Sequence, residues 1–177
     1  MKRLGTWIAV TDTHVFQFVN QQIRCKALDV VLPKMTHIGG ATFTLSSLLL
    51  IILLLKDWRF WATEALLSLT LSHVVVHFIK KVYCRERPYS KLSNVILTSN
   101  PLKDYSFPSG HTTAVFSISI VFVLESFAIG AILLFIACSV GFSRMYLGHH
   151  YPTDCISGAL LGTLSSIIIV NSLSVIV

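Results

Sequence analysis

Charge is scarce in this 177-residue chain. Asp, Glu, Lys and Arg together make up 12% of it, about half of the roughly 25% usual in a soluble domain. Acidic residues are the scarcer sign, 8 against 14 Lys and Arg, and no Asp- and Glu-rich run that would cage a hard cation is present. Cys25, Cys84, Cys138 and Cys155 form neither a CxxC pair nor a Cys/His set at zinc-like spacing, so a metal is not expected and the redox compartment stays open. Internal repeats and low-complexity linkers are also missing, and a single domain over residues 1–177 is expected. The formal charge of +6 comes without an aromatic-rich polar face. Many of its cations lie in one loop between apolar segments, so the expected partner is an anionic small group or a lipid headgroup, not nucleic acid.

What fills the chain is apolar: 54% hydrophobic residues and a mean hydropathy of +0.73. Met1-Lys2-Arg3 and the run behind it resemble a signal peptide, but the run meets Asp12 too soon and no A-x-A site follows, so the N-terminus is read as retained. Residues 12–33 place Val15, Phe18, Val19 and Ile23 at helical spacing among Gln17, Gln21, Arg24 and Lys26. This predicts a helix lying in a membrane interface, with an ordinary surface helix as the alternative.

A first span is predicted over about residues 41–55 and a second over 60–79, joined by the turn Lys56-Asp57-Trp58-Arg59, polar and aromatic as turns at a membrane surface are. Trp58 and Trp61 read as interface anchors. Residues 110–148 are almost continuously apolar. As one helix they would reach roughly 58 Å, nearly two hydrocarbon cores, so the chain must double back, and Glu125-Ser126 is the reversal point. A last span begins near Asp154. The expected fold is all-α, a polytopic transmembrane helical bundle of about five spans plus an N-terminal interfacial helix. Crossing parity then brings the loop after span two, the start of span three and the turn before span five to one membrane face.

Three polar clusters occupy those places. In Lys80-x6-Arg87-Pro88, cations at a helix end can simply snorkel to the interface, yet the planar fork of Arg87 and the point charge of Lys80 also suit phosphate oxygens. In Pro108-Ser109-Gly110-His111, Ser and Gly suit a helix start, whose free N–H groups attract anions, and His111 stands where a general acid reaches a leaving oxygen. The alternative is a routine cap beside a chance histidine. In Ser143-Arg144-x5-His150-x3-Asp154, a helical segment would let Asp154 bond one imidazole nitrogen of His150 and leave the other as a nucleophile, although such pairs are more often structural. His149 reads as a neighbour of the active residue. His73 and His77 share a face of span two without a third ligand and read as packing or access-path residues. Glu64, costly in lipid, is expected to face the bundle interior.

Taken together, the three clusters resemble the three-part signature of the type 2 phosphatidic acid phosphatase (PAP2) family, with every fixed position present between residues 80 and 154. The resemblance implies a metal-independent lipid phosphatase without cofactor. In it His150 is the nucleophile that takes the phosphoryl group, Asp154 orients it, and His111 protonates the departing oxygen. Lys80, Arg87 and Arg144 cage the phosphate, with hydrogen bonds from Ser109 and the Gly110 amide. The short, five-span form is similar to undecaprenyl pyrophosphate phosphatases. Phosphatidylglycerophosphate and phosphatidate are the next substrates, and a lipid phosphotransferase or a non-enzymatic binder of anionic lipid are the other readings. All Lys and Arg except Lys56 and Arg59 fall on the active face, which the positive-inside rule assigns to the cytoplasm. The resemblance implies an extracytoplasmic site in the cell membrane, and the reading follows it.

Overall fold

In the computed structural model, which describes residues 2–98 and 100–175, the apolar stretches are helices. Met1 and the side chains of Lys2 and Arg3, all used in the sequence reading, lie outside the description. Helix α1 (Lys2–Gln17) runs on through a π-helical turn (Phe18–Gln22), and a break at residues 23–25 separates it from α2 (Lys26–Met35). The interfacial helix expected over 12–33 is therefore two helices. The apolar spacing passes through the break, where Arg24 and Asp29 pair across it.

A 3-10 turn (Thr36–Gly39) and a bend of 59° join α2 to α3 (Ala41–Leu54). The 14 residues of α3 rise only ~21 Å against a core of ~30 Å, and they reach span length only together with α2. A short turn at Lys56–Trp58 leads into α4 (Arg59–Tyr83), and α5 (Pro88–Lys91) is a single turn in the following loop. Helices α6 (Gly110–Glu125) and α7 (Phe127–Tyr146) are separated by Ser126 alone, at the reversal expected there, and α8 (Pro152–Ser174) closes the chain. Among the described residues, three stretches, containing α4, α7 and α8, are long and apolar enough to cross a membrane singly. The bent α2–α3 pair makes a fourth, and α6 is a shorter apolar helix of 16 residues.

Helix α6 is central, packed against α8, α7 and α4. Lipid tails are as apolar as leucine, so close backbone approach and interhelical hydrogen bonds have to hold such helices together. Gly158 and Gly162, one turn apart on α8, allow that approach. A Cβ on Gly158 would stand 2.7 Å from the carbonyl oxygen of Ser109, and one on Gly162 would stand 2.7 Å from backbone atoms of Thr113 and Ser117. Ser68 and Ser166 hydroxyls meet at 3.0 Å, and Ser166 donates to the Ser117 carbonyl. Leu53, Phe78, Phe135, Leu160 and Ile168 point outward instead, as a lipid-facing belt does. Glu64 is buried, as expected for a bundle-facing carboxyl. Trp58 and Trp61 stack on one another and turn their faces to the edge of Phe122, so they pack on the core as well as marking its end.

The C-terminal ends of α4 and α7 and the N-terminal ends of α6 and α8 thus meet at one end of the bundle. Asp12 of α1 and Thr36 from the α2–α3 turn reach the same place.

Candidate active site

The turn between α7 and α8 sets the position of both histidines. Gly148 adopts a φ of +85°, which an L side chain rarely adopts, and the amides of His149 and His150 both donate to the Arg144 carbonyl, at 3.0 and 3.2 Å. Asn20, in the π-helical turn, holds the chain that covers this turn. Its side chain exchanges two hydrogen bonds with the backbone of Ile96, 2.9 Å each, and donates to the Tyr146 carbonyl at 2.8 Å.

His150 lies outside the helix, just ahead of the α8 cap, so the one-turn geometry expected of His150 and Asp154 is replaced by a capping one. Asp154 accepts the Tyr151 amide at 2.8 Å, the Ser106 hydroxyl at 2.5 Å and the Arg85 guanidinium at 2.7 Å. His150 Nδ1 stands 3.5 Å from Asp154 Oδ2 and 3.4 Å from Ser106 Oγ. On its other side, Nε2 is 3.2 Å from Arg87 Nη1. A guanidinium can only donate, so Nε2 carries the lone pair and Nδ1 carries the proton. Burial, followed by the charges of Arg144, Arg87 and Lys80, pushes His150 well below its ordinary value, and His149 is pushed to about 3 by burial and by Arg144 and Arg87. Both imidazoles are neutral at pH 7.

Arg87 is buried and held on three sides. It donates to the Asp104 carbonyl at 2.8 Å, to the Asp104 carboxylate at 2.7 Å and to the His149 carbonyl at 2.9 Å. Lys80 forms an ion pair with the same carboxylate. Burial favours the neutral Asp104 acid, but the hydrogen bonds and charges of Lys80 and Arg87 outweigh it and hold the group at about 2. Arg144 donates one bond, to Thr36 Oγ1 at 2.7 Å, while its buried Nε and Nη2 have no hydrogen-bond partner among the described residues. Two buried donors with no protein acceptor in reach suit an anion.

A cavity of about 370 Å³ opens at this point, lined by Arg144, His111, His149, Thr36, His37 and Thr98 among others. Of the residues given a catalytic or phosphate-binding role from the sequence, His111 and Arg144 line it. Arg87, His150 and Asp154 form the hydrogen-bonded layer described above, to which Lys80 is tied through Asp104. A Cβ on Gly110, the first residue of α6, would meet nothing within 4 Å, so there is open space beside the start of this helix. Ser109 takes the helix-start position that its type suits. It is fully buried, its hydroxyl is 2.9 Å from that of Thr112, and it accepts the Thr112 amide, so it acts as the α6 cap.

Sequence reasoning passed over Asp12, Thr36, Arg85, Asp104 and Ser106. Asp104 had a signal, as the lone acid between Glu86 and Glu125. The other four reach the site only through tertiary contact.

A family profile described as the PAP2 superfamily matches residues 61–175. The undecaprenyl-diphosphatase BcrC of Bacillus subtilis (strain 168) is 38% identical over 101 residues, covering 56% of this chain and 49% of that protein. Among solved structures, Aquifex aeolicus LpxE matches with a TM-score of 0.79 and 31% identity over 89% of this chain and 93% of its own. A transmembrane PAP2 type phosphatidylglycerolphosphate phosphatase from Bacillus subtilis matches with a TM-score of 0.81 over 96% of this chain and 88% of its own, and at 23% identity this is a likeness of fold. The chain spans about half the length of the curated relatives it matches. Its apolar helices and this likeness make it a multi-pass membrane protein.

Proposed function

The chain belongs to the PAP2 superfamily, and from that premise we propose that it is a lipid phosphatase working through a phosphohistidine at His150. The observation that carries the reading is the orientation of this imidazole, with its Nε2 lone pair among cations and its Nδ1–H toward Asp154. That lone pair attacks phosphorus, and the bond from phosphorus to the lipid oxygen breaks. His111, on the wall of the adjoining cavity, takes up a proton once the phosphate's negative charge lies beside it and gives that proton to the departing oxygen. Water then attacks the phosphohistidine and gives His111 a proton, the bond from phosphorus to Nε2 breaks and frees His150, and inorganic phosphate leaves.

Phosphoryl transfer asks mainly for positioning and charge stabilisation. Arg144 brings the two donors that have no partner among the described residues, Arg87 and Lys80 bring charge once Asp104 yields them, and the Gly110 amide at the start of α6 adds a hydrogen bond. With three cations in these roles the reaction proceeds without a divalent metal. Undecaprenyl diphosphate is the proposed substrate, supported by the name of the 38% identical relative, and the extracytoplasmic face is the proposed side.

The test is release of inorganic phosphate by purified protein in detergent, with chelator, from undecaprenyl diphosphate, phosphatidylglycerophosphate and phosphatidate. Activity persists in chelator, is highest on the diphosphate, and is abolished by His150→Ala at unchanged expression. Loss of activity on chelation would sink the metal-free route, and transfer to another acceptor without free phosphate would make the protein a phosphotransferase.

A further inference from the structure

Behind Asp154 lies a second ion pair that the three sequence clusters do not include. Arg85 forks between two carboxylates, with Nη2 2.6 Å from Asp12 Oδ2 and Nη1 2.7 Å from Asp154 Oδ1, and its guanidinium lies 4.1 Å from the centre of the Tyr151 ring. Asp12, 4% exposed, also accepts the Thr153 amide at 2.9 Å and the Thr153 hydroxyl at 2.6 Å. Asp12 lies outside the family-matched residues, on α1, which packs against α8.

We infer that Asp12 and Arg85 are positioning residues that set how strongly Asp154 acts on His150, an inference that rests on the proposed role of His150. Asp154 meets His150 with one carboxylate oxygen and Arg85 with the other. A guanidinium on the far oxygen draws charge away from the near one, so Asp154 holds the Nδ1 proton in place without taking it and favours the imidazolium less. Asp12 in turn shares the charge of Arg85. Without Asp12, all of that charge falls on Asp154. Removing Arg85 and removing Asp12 therefore act on His150 in opposite directions, whereas a purely structural tie between α1 and α8 would make the two losses alike.

The other charges around His150 stay constant in such a comparison. Lys80 on α4, Arg87 in the following loop, Arg144 on α7 and the neighbouring His149 act on it, with Asp104 paired to Lys80 and Arg87 and His111 on α6 beside the same cations.

The experiment uses the full chain in detergent micelles with ¹⁵N-labelled histidine, and follows the His150 ring nitrogens by NMR as pH is lowered. The acid limb of kcat/KM is measured alongside. Arg85→Gln is expected to protonate His150 at higher pH than the parent, by on the order of half a pH unit or more for one charge at this remove. Asp12→Asn is expected to protonate it at lower pH, and Arg85→Lys, which keeps the charge, to stay with the parent. Equal or reversed shifts in Arg85→Gln and Asp12→Asn would overturn the inference. If Arg85→Gln does not fold, Asp12→Asn against parent decides it, since an unchanged or upward shift there is equally fatal. The NMR ordering is readable even in a protein without turnover, so failure of the phosphatase reading and failure of this one are told apart.

Discussion

Asp104 holds the two cations that a phosphoryl group would use, Lys80 and Arg87. Its carboxylate is an internal rival of the substrate, ionised at any working pH because the pair holds it at about 2. Asp104→Asn keeps the shape and removes the charge. KM is expected to fall by on the order of tenfold, about the worth of one charge-assisted hydrogen bond, and inhibition by inorganic phosphate is expected to tighten. A rise in KM would mean that the carboxylate serves to hold the cations in place. His149 carries a different prediction. Folded, it titrates near 3, and unfolded at its ordinary 6.5, so between those values the unfolded chain binds the extra proton. Its neutral burial costs nothing above pH 6.5, and stability falls by up to ~1.4 kcal/mol per pH unit as pH drops below that. Thermal melts in detergent at pH 7 and pH 5 are expected to differ less in His149→Gln than in the parent.

Among the elements, the contact between α6 and α8 is the one most open to a single test. Gly162→Val drives side-chain atoms against the backbone of Thr113 and Ser117, where a Cβ alone would stand at 2.7 Å. The helices must separate, at a cost of roughly 1–3 kcal/mol or more, seen as a lowered melting temperature, while an unchanged melt would show that the contact is slack. The same elements show what the sequence discloses. The reversal at Ser126 is legible because Glu125-Ser126 interrupts an otherwise apolar run. The break at residues 23–25 is not, because helical spacing of Val15, Phe18, Val19 and Ile23 runs up to it without a Pro or Gly to mark it. His111, Arg144, His150 and Asp154 are legible by type and spacing. Arg85, Asp12 and Ser106 are not, since each owes its place to contacts more than 40 residues away in the chain. The capping role of Ser109 is legible from a serine ahead of a helix, whereas the bond from its own amide to the Asp154 carbonyl is not.

At the scale of the whole molecule, the site end carries Lys80, Arg85, Arg87 and Arg144, while Lys56 and Arg59 sit in the turn at the other end of α4. Cys84, exposed at the C-terminal end of α4, reports on the side. With Cys25 and Cys138 replaced by Ser, an impermeant thiol reagent on intact cells is expected to label Cys84, and a cysteine put at Asp57 only after lysis. The reverse pattern would put the site in the cytoplasm, as the distribution of positive charge suggests. One further feature bears on how the molecule meets its substrate. Helix α6 has 16 residues and rises ~24 Å, so the bilayer must thin around it or the turn bearing His111 must lie beneath the headgroup plane. Either way a phosphate can arrive by sliding sideways, with its tail never drawn into water. For the proposed lipid substrate, the quantity that governs turnover is then expected to be the number of molecules per unit area of membrane, so that diluting the lipid with inert detergent slows turnover even when its bulk concentration is unchanged.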